Sequence, residues 1–218
     1  MTKPKSLPKT KSDFQHLAAE LAAIGRDFYA RGWLLGTSGN LSAVWQREPL
    51  RLAITASGLD KGHLLPGQIL EVDAHQTVLR GKGKPSAEAS LHLSVVRARA
   101  AGSVLHTHSV WSTVVSQKYP GEGDIEISGY EMLKGLEGIR SHDHTEHLPI
   151  LENSQDMKDL SGRVTSLLDH HPAIHGFLIR GHGLYTWGAT LAEAKRHVEI
   201  LEFLAEVLGR SGAAVSRA

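Results

Sequence analysis

The chain has 218 residues, 41% of them apolar, a formal net charge of +1 and no cysteine. This suits one sizeable globular core and gives no bulk electrostatic case for nucleic acid or a membrane surface; without cysteine, any bound metal must be held by nitrogen and oxygen. No apolar run approaches a membrane span and the start of the chain lacks the apolar stretch of a signal peptide, so a cytoplasmic protein is expected.

Residues 1–11 carry four lysines, two prolines and almost nothing apolar, the composition of a disordered basic tail. Ser12 and Asp13 are caps for a first helix, whose Phe14, Leu17, Leu21 and Phe28 recur at helical spacing until Gly32. A small polar loop, Gly36-Thr37-Ser38-Gly39-Asn40, precedes strands over 41–45 and 50–55, and a second small-residue turn follows at Ala56-Ser57-Gly58. Weaker strands are predicted over 69–72 and 77–79. Ser86 is read as the cap of a helix running to about Ala101, with Glu88 in its first turn. After the apolar run Ser103-Val104-Leu105 come a helix over 110–117, a turn over 121–124 and a short helix over 129–136 carrying Glu131. A strand over 147–150, a helix from Asp156 to His170, strands over 174–179 and 184–187, and a helix capped by Thr190 and Glu193 complete the chain. Strands and helices alternate without repeat or linker, so one α/β domain over 12–218 is predicted.

The most informative residues are His106, His108 and His182. On a strand, residues i and i+2 share a face, so His106 and His108 can grip one ion. His182 lies between Gly181 and Gly183, which let backbone approach a crowded centre. Three neutral imidazoles suit a divalent transition metal, zinc first, with a position left open for chemistry. The same pattern is compatible with two half-buried strand histidines and an unrelated loop histidine. The run from His142 to His147 looks richer in ligands but has no apolar framework to hold them rigid, and is read as a solvated loop. His16, His63, His75, His170, His171 and His197 are read as surface or cap residues. The two small-residue loops and Ser86 together offer N–H groups and hydroxyls for a phosphate, although each alone is also an ordinary turn. Neither loop matches a nucleotide fingerprint. Glu88 and Glu131 are the carboxylates of interest, and the partly apolar, glycine-flanked surroundings of Glu131 predict a raised pKa.

In chain order, Gly36-Thr37-Ser38-Gly39-Asn40-Leu41-Ser42, Ile54-Thr55-Ala56-Ser57-Gly58, Ser86-Ala87-Glu88, His106-Thr107-His108 and Gly181-His182-Gly183 resemble the motifs of the class II aldolase/adducin family. The resemblance covers roughly residues 12–208. Within that family, the segment from Gly129 to Gly135 and the segment from Pro149 to Asp156 are similar to the methylthioribulose-1-phosphate dehydratase branch. The resemblance implies a three-layer α/β/α fold and one catalytic zinc per subunit on His106, His108 and His182. It also implies a phosphate cradle from Asn40, Ser57, Gly58 and Ser86, and a homotetramer with sites near subunit contacts. In that branch the glutamate matching Glu131 is the acid/base. Glu88 matches the zinc-proximal glutamate of the aldolases, where some dehydratases have cysteine; its role as ligand, second base or spectator stays open. Ala87 stands where many aldolases carry a second phosphate-binding serine.

The activity so implied is loss of water from a 2-ketose 1-phosphate with a methylthio tail, giving a 2,3-diketone in methionine salvage. The alternatives are a sugar-phosphate aldolase or pentose-phosphate 4-epimerase, which share the metal and the cradle, and a non-enzymatic module like the adducin head. The retained histidines rank the last reading lowest.

Overall fold

Alternation with a period of two decides which side chains each strand sends to which face, and here it buries one apolar cluster on one face of the sheet and two on the other. A computed structural model of the protein describes residues 11–118 and 123–211. Its strands are β1 (Asn40–Gln46), β2 (Arg51–Thr55), β3 (Ile69–Asp73), β4 (Val78–Arg80), β5 (Ser103–Thr107), β6 (Asp124–Ile127), β7 (Glu146–Leu151), β8 (Gly176–Ile179) and β9 (Gly183–Gly188). The helices are α1 (Lys11–Ala30), α2 (Ala89–Arg99), α3 (Val110–Lys118), α4 (Met157–His170) and α5 (Leu191–Ser211). The strands form one sheet in the order β4-β3-β2-β1-β5-β9-β8-β7-β6. Only the β7–β8 pair is parallel.

Leu52 and Ile54 of β2, Val104 of β5 and Tyr185 and Trp187 of β9 pack beneath α2 and α4. Their neighbours in sequence point the other way. Ala53 and Leu105 pack against α1, and Leu184 joins Val115 of α3 and Leu201 and Leu204 of α5. The apolar stripe of α5 is buried at Ala194, Val198, Leu201, Ala205 and Leu208. The outcome is the three-layer α/β/α sandwich that the family resemblance implies.

Three local expectations need correction. Helix α2 begins at Ala89, with Glu88 at the N-cap position rather than in the first turn. Ser86 does not cap it; its Oγ accepts the N–H of Glu88 at 3.3 Å. The turn expected over 121–124 lies partly outside the described residues, and Asp124 opens strand β6. Only Ile125 and Ile127 of that strand are buried, too short an alternation to stand out. The basic tail also lies outside the described residues, except Lys11, which is the first residue of α1. By contrast, Thr190 and Glu193 act as predicted: Thr190 Oγ1 accepts the Glu193 N–H at 3.1 Å, and Glu193 accepts the Ala189 N–H at 3.1 Å.

Strand β5 is the middle of the sheet, and His106 is paired across it with Asn40 on β1 and Tyr185 on β9. This pairing brings distant parts of the chain to one point.

Candidate metal centre

His106 follows Val104 on the α2/α4 face of β5 and is fully buried. Tyr185 stacks flat on its ring, with centroids 3.9 Å apart. His108 lies one residue past the strand end, and His182 lies in the tight turn between β8 and β9. The three Nε2 atoms converge: 2.8 Å between His106 and His108, 3.1 Å between His108 and His182, and 3.3 Å between His106 and His182. Glu88 completes the group, its Oε1 lying 3.1 Å from His182 Nε2 and 3.7 Å from His106 Nε2. Among the described residues this is the one set of three or more potential ligands gathered within 4.8 Å. Gly183 permits the approach, since a Cβ there would lie 1.9 Å from the carbonyl oxygen of Thr107.

The donor chemistry fits a divalent ion. His106 Nδ1 lies 2.9 Å from the carbonyl oxygen of Leu184, which can only accept. The proton therefore sits on Nδ1, and the Nε2 lone pair faces the centre, the arrangement a ligating imidazole needs. Burial pushes His106 well below the ordinary histidine pKa, with Glu88 opposing and the other two histidines reinforcing. His108 is pushed down to about 4 by burial, then by His182 and Lys61, with Glu88 opposing. Burial pushes the Glu88 carboxyl up, but His182, His106 and Asn40 together hold it below the ordinary range. Neutral imidazoles beside an ionised carboxylate are the set that binds a cation without first displacing protons.

Glu88 is held by a chain of buried side chains in which each proton can be assigned. Its Oε2 accepts from Asn40 Nδ2 at 2.6 Å. That turns Asn40 Oδ1 toward His92 Nε2, which must donate to it. His92 Nδ1 is then an acceptor, and Ser42 Oγ donates to it across 2.7 Å. His92 is fully buried and pushed down to about 4, chiefly by that burial, so it stays neutral at pH 7. The sequence reading passed over His92, although its spacing four residues after Glu88 at the head of α2 was a usable signal. If the chain positions Glu88, His92→Phe should lower kcat or metal affinity by about 10–100-fold, the usual scale for support of a metal site. His92→Gln keeps an N–H donor and should recover part of the loss. Equal activity of His92→Phe and wild type would sink the assignment.

On the other face of β5, Thr107 donates to Glu202 of α5, and Ser112 Oγ donates to the same carboxylate at 2.8 Å. Burial pushes this carboxyl up, and hydroxyls of Ser109, Thr107 and Ser112 partly offset it. Glu202 thus ties the His-Thr-His strand end to the last helix, a role with no sequence signal beyond a polar residue in an apolar stripe.

Beside these four potential ligands is a cavity of about 170 Å³. Its walls include Asn40, Ser57, Gly58 and Ser86, so the four residues expected to cradle phosphate meet at one place. Lys61, missed in the sequence, also lines it. Glu131 does not. It lies in a 3-10 turn, Glu131–Gly135, anchored by buried Leu133. Its side chain is 69% exposed and pairs with Lys134 at 2.5 Å and with His142 at 3.2 Å. The raised pKa expected of it is not found: the hydrogen bond from Lys134 first, helped by the charges of Lys134 and His142, lowers it against desolvation and the charge of Asp143. Leu133 and Leu136 turn inward, whereas Met132, the next residue, is itself exposed and the carboxylate faces out.

Among the described residues, the run from His142 to His147 forms no metal group. It is not wholly solvated either. Glu146 is buried on β7, where His144 Nε2 and His175 Nδ1 each lie 3.0 Å from its Oε2. His197, expected at the surface, is buried, with Nδ1 donating to the Trp187 carbonyl at 2.7 Å and Nε2 accepting the Glu137 N–H at 3.1 Å.

The family model described as the class II aldolase and adducin N-terminal domain matches residues 19–208. A methylthioribulose-1-phosphate dehydratase from Sorangium cellulosum is 42% identical, the match covering 88% of this chain and 91% of the relative. The protein of the same name from Methylococcus capsulatus is 43% identical, covering 88% and 93%. Among solved structures, YgbL from Escherichia coli superposes with a TM-score of 0.76 at 27% identity, covering 94% of this chain and 93% of that one. The L-fuculose-1-phosphate aldolase of Thermus thermophilus has the same fold, with a TM-score of 0.70 at 23% identity over 92% of this chain and 100% of that one. The matched span, the ordered motifs and the convergent histidines agree: the chain is an enzyme of the class II aldolase and adducin N-terminal domain family.

Proposed function

We propose that the protein is a zinc-dependent dehydratase that converts 5-methylthioribulose 1-phosphate to 2,3-diketo-5-methylthiopentyl 1-phosphate and water, a step of methionine salvage in the cytoplasm. The observation that carries this reading is the open, three-imidazole centre beside a small polar cavity, in a chain more than 40% identical to dehydratases of that name. His106, His108 and His182 would hold the ion, with Glu88 as the carboxylate beside it. When bound, such an ion supplies Lewis-acid polarisation of the substrate's ketone and its neighbouring hydroxyl, which acidifies the C3 proton.

The remaining steps belong to side chains. A carboxylate takes the C3 proton. The C4–O bond breaks as the same or a second acid protonates the leaving hydroxyl, and water departs. The resulting C3–C4 enol then gains a proton at C4 and loses one from oxygen, leaving the 2,3-diketone. Glu131 is assigned this acid/base role. In a base-first order, the ionised carboxylate accepts the C3 proton before it donates one. In the homotetramer that the family resemblance implies, the outward-facing Glu131 would serve the site of a neighbouring subunit. The Asn40, Ser57, Gly58 and Ser86 wall would hold the phosphate.

Product analysis is the direct test. Incubation with 5-methylthioribulose 1-phosphate should give a product lighter by one water. A triose phosphate or an epimer would instead support the aldolase or epimerase reading. For the cradle, Ser57→Ala is the cleaner probe, because the Asn40 amide is already committed to Glu88 and His92. Loss of a charge-assisted hydrogen bond should raise KM by about tenfold while kcat changes less. A Ser57→Ala enzyme with unchanged KM would remove Ser57 from the cradle.

A further inference from the structure

We propose that Lys61 supplies the positive charge that meets the substrate's phosphate, and so sets the preference of this site for a phosphomonoester. The proposal rests on the reading of the substrate as a sugar phosphate and adds a residue that the sequence motifs did not point to.

Lys61 is 1% exposed, an unusual place for an ammonium. Buried lysines are ordinarily paired with a carboxylate, yet among the described residues none lies within ion-pair distance of its Nζ. The adjacent Asp60 is turned away: its carboxylate accepts the Gly62 N–H at 2.9 Å and contacts His63 Nδ1 at 2.9 Å. Instead, Lys61 Nζ donates to two backbone carbonyls, Leu59 at 3.0 Å and Thr37 at 3.2 Å. An ammonium carries three N–H donors, so one is left for the cavity that Lys61 lines. In the same wall, Ser38 Oγ is buried without a hydrogen-bond partner among the described residues. A donor and a hydroxyl thus lie in a cavity that Ser57, Gly58 and Ser86 also line.

Charge and strain agree with this use. Apart from the histidines, the cavity is lined by one acid, Glu88, and one cation, Lys61. Glu88 alone would repel a phosphate dianion. Burial pushes the Lys61 ammonium below its ordinary pKa, with Asp60 opposing, and a phosphate dianion alongside would offset that cost. Lys61 also grips a strained loop. Thr37, a β-branched residue, has φ +67°, between Gly36 at +61° and, two residues on, Gly39 at +65°. Such backbone costs free energy for a non-glycine residue and is characteristic of binding loops.

The competing explanation is that Lys61 only ties Thr37 in place. The test uses the metal-loaded enzyme, with inorganic phosphate as probe in calorimetry and in competitive inhibition. Lys61→Met is close in shape and removes the charge; Lys61→Gln serves if Lys61→Met is insoluble. The expected result is phosphate binding weaker by about tenfold to a hundredfold, the loss of one charge-assisted hydrogen bond. KM for the phosphorylated substrate should rise by a similar factor, more than kcat falls, with metal content unchanged. Thr37→Gly relieves the strained φ, so a purely structural Lys61 would become dispensable in that background. The Lys61→Met/Thr37→Gly double variant should still bind phosphate weakly. Recovery in the double variant, or wild-type phosphate affinity in Lys61→Met, would overturn the proposal. If wild type neither binds phosphate nor uses the phosphorylated substrate, the sugar-phosphate reading and this inference fall together. If wild type does both and Lys61→Met matches it, only the role of Lys61 is lost.

Discussion

Alanine at His106, at His108 or at His182 is expected to remove bound metal and dehydration together, from about one ion per chain to almost none. Each imidazole would supply one of three nitrogen donors, and their Nε2 atoms lie 2.8 to 3.3 Å apart. Removing any one leaves two nitrogens and Glu88 in positions set by the full group, so the remaining donors no longer close around an ion and its affinity should fall steeply. His106→Ala should be the most damaging, because His106 is fully buried between Tyr185 and the strand register, and its loss also opens a cavity in the sheet. His142, His144 and His147 form the control set. His144→Ala should cost some stability, since His144 contacts buried Glu146, but metal content should stay at the wild-type level in all three. Metal analysis of dialysed protein decides the matter. Full retention in the three ligand variants would dismiss the centre, and loss in the control set would move it.

The architecture was largely legible because it follows from patterns of local origin. The alternation of Leu52, Ala53 and Ile54, and of Leu184 and Tyr185, is the sheet's own period, and the α5 stripe is the helix's. The pair His106 and His108 could be read for the same reason, because a strand fixes where i and i+2 point. What escaped depends on contacts between remote segments. His92 matters only because β1 brings Asn40 and Ser42 beneath α2. Lys61 gains its place from the carbonyls of Thr37 and Leu59, and Glu202 from Thr107 and Ser112, which reach it from β5 and α3. Glu131 is the opposite case. Its sequence neighbours are apolar, but Leu133 takes the inward position and leaves the carboxylate outside. Apolar neighbours in sequence do not show which way a short 3-10 turn will face.

Glu131→Gln is expected to keep the metal and to lower dehydration by about 10²-fold or more, the usual scale for a general acid–base group. Glutamine preserves the size of the side chain but carries no titratable proton. The variant should also fold normally: Glu131 is exposed, and its pairs with Lys134 and His142 are surface contacts of little consequence for stability. This makes the rate a clean readout. Glu88→Gln is the companion experiment and should behave differently. Glu88 lies 3.1 Å from His182 Nε2 and accepts from Asn40, so an amide there faces a donor where an acceptor was needed. If Glu88 is a ligand, metal affinity should fall with the rate; if it is the base, metal should persist while the rate falls. Mixing the two variants extends the test to the assembly. If Glu131 serves a neighbour's site, Glu131→Gln subunits combined with His106→Ala subunits should regain activity that neither has alone, because some mixed contacts unite an intact metal centre with an intact carboxylate. Near wild-type dehydration by Glu131→Gln would transfer the acid/base role to Glu88. Low activity in both single variants with no recovery on mixing would instead place Glu131 at its own subunit's centre.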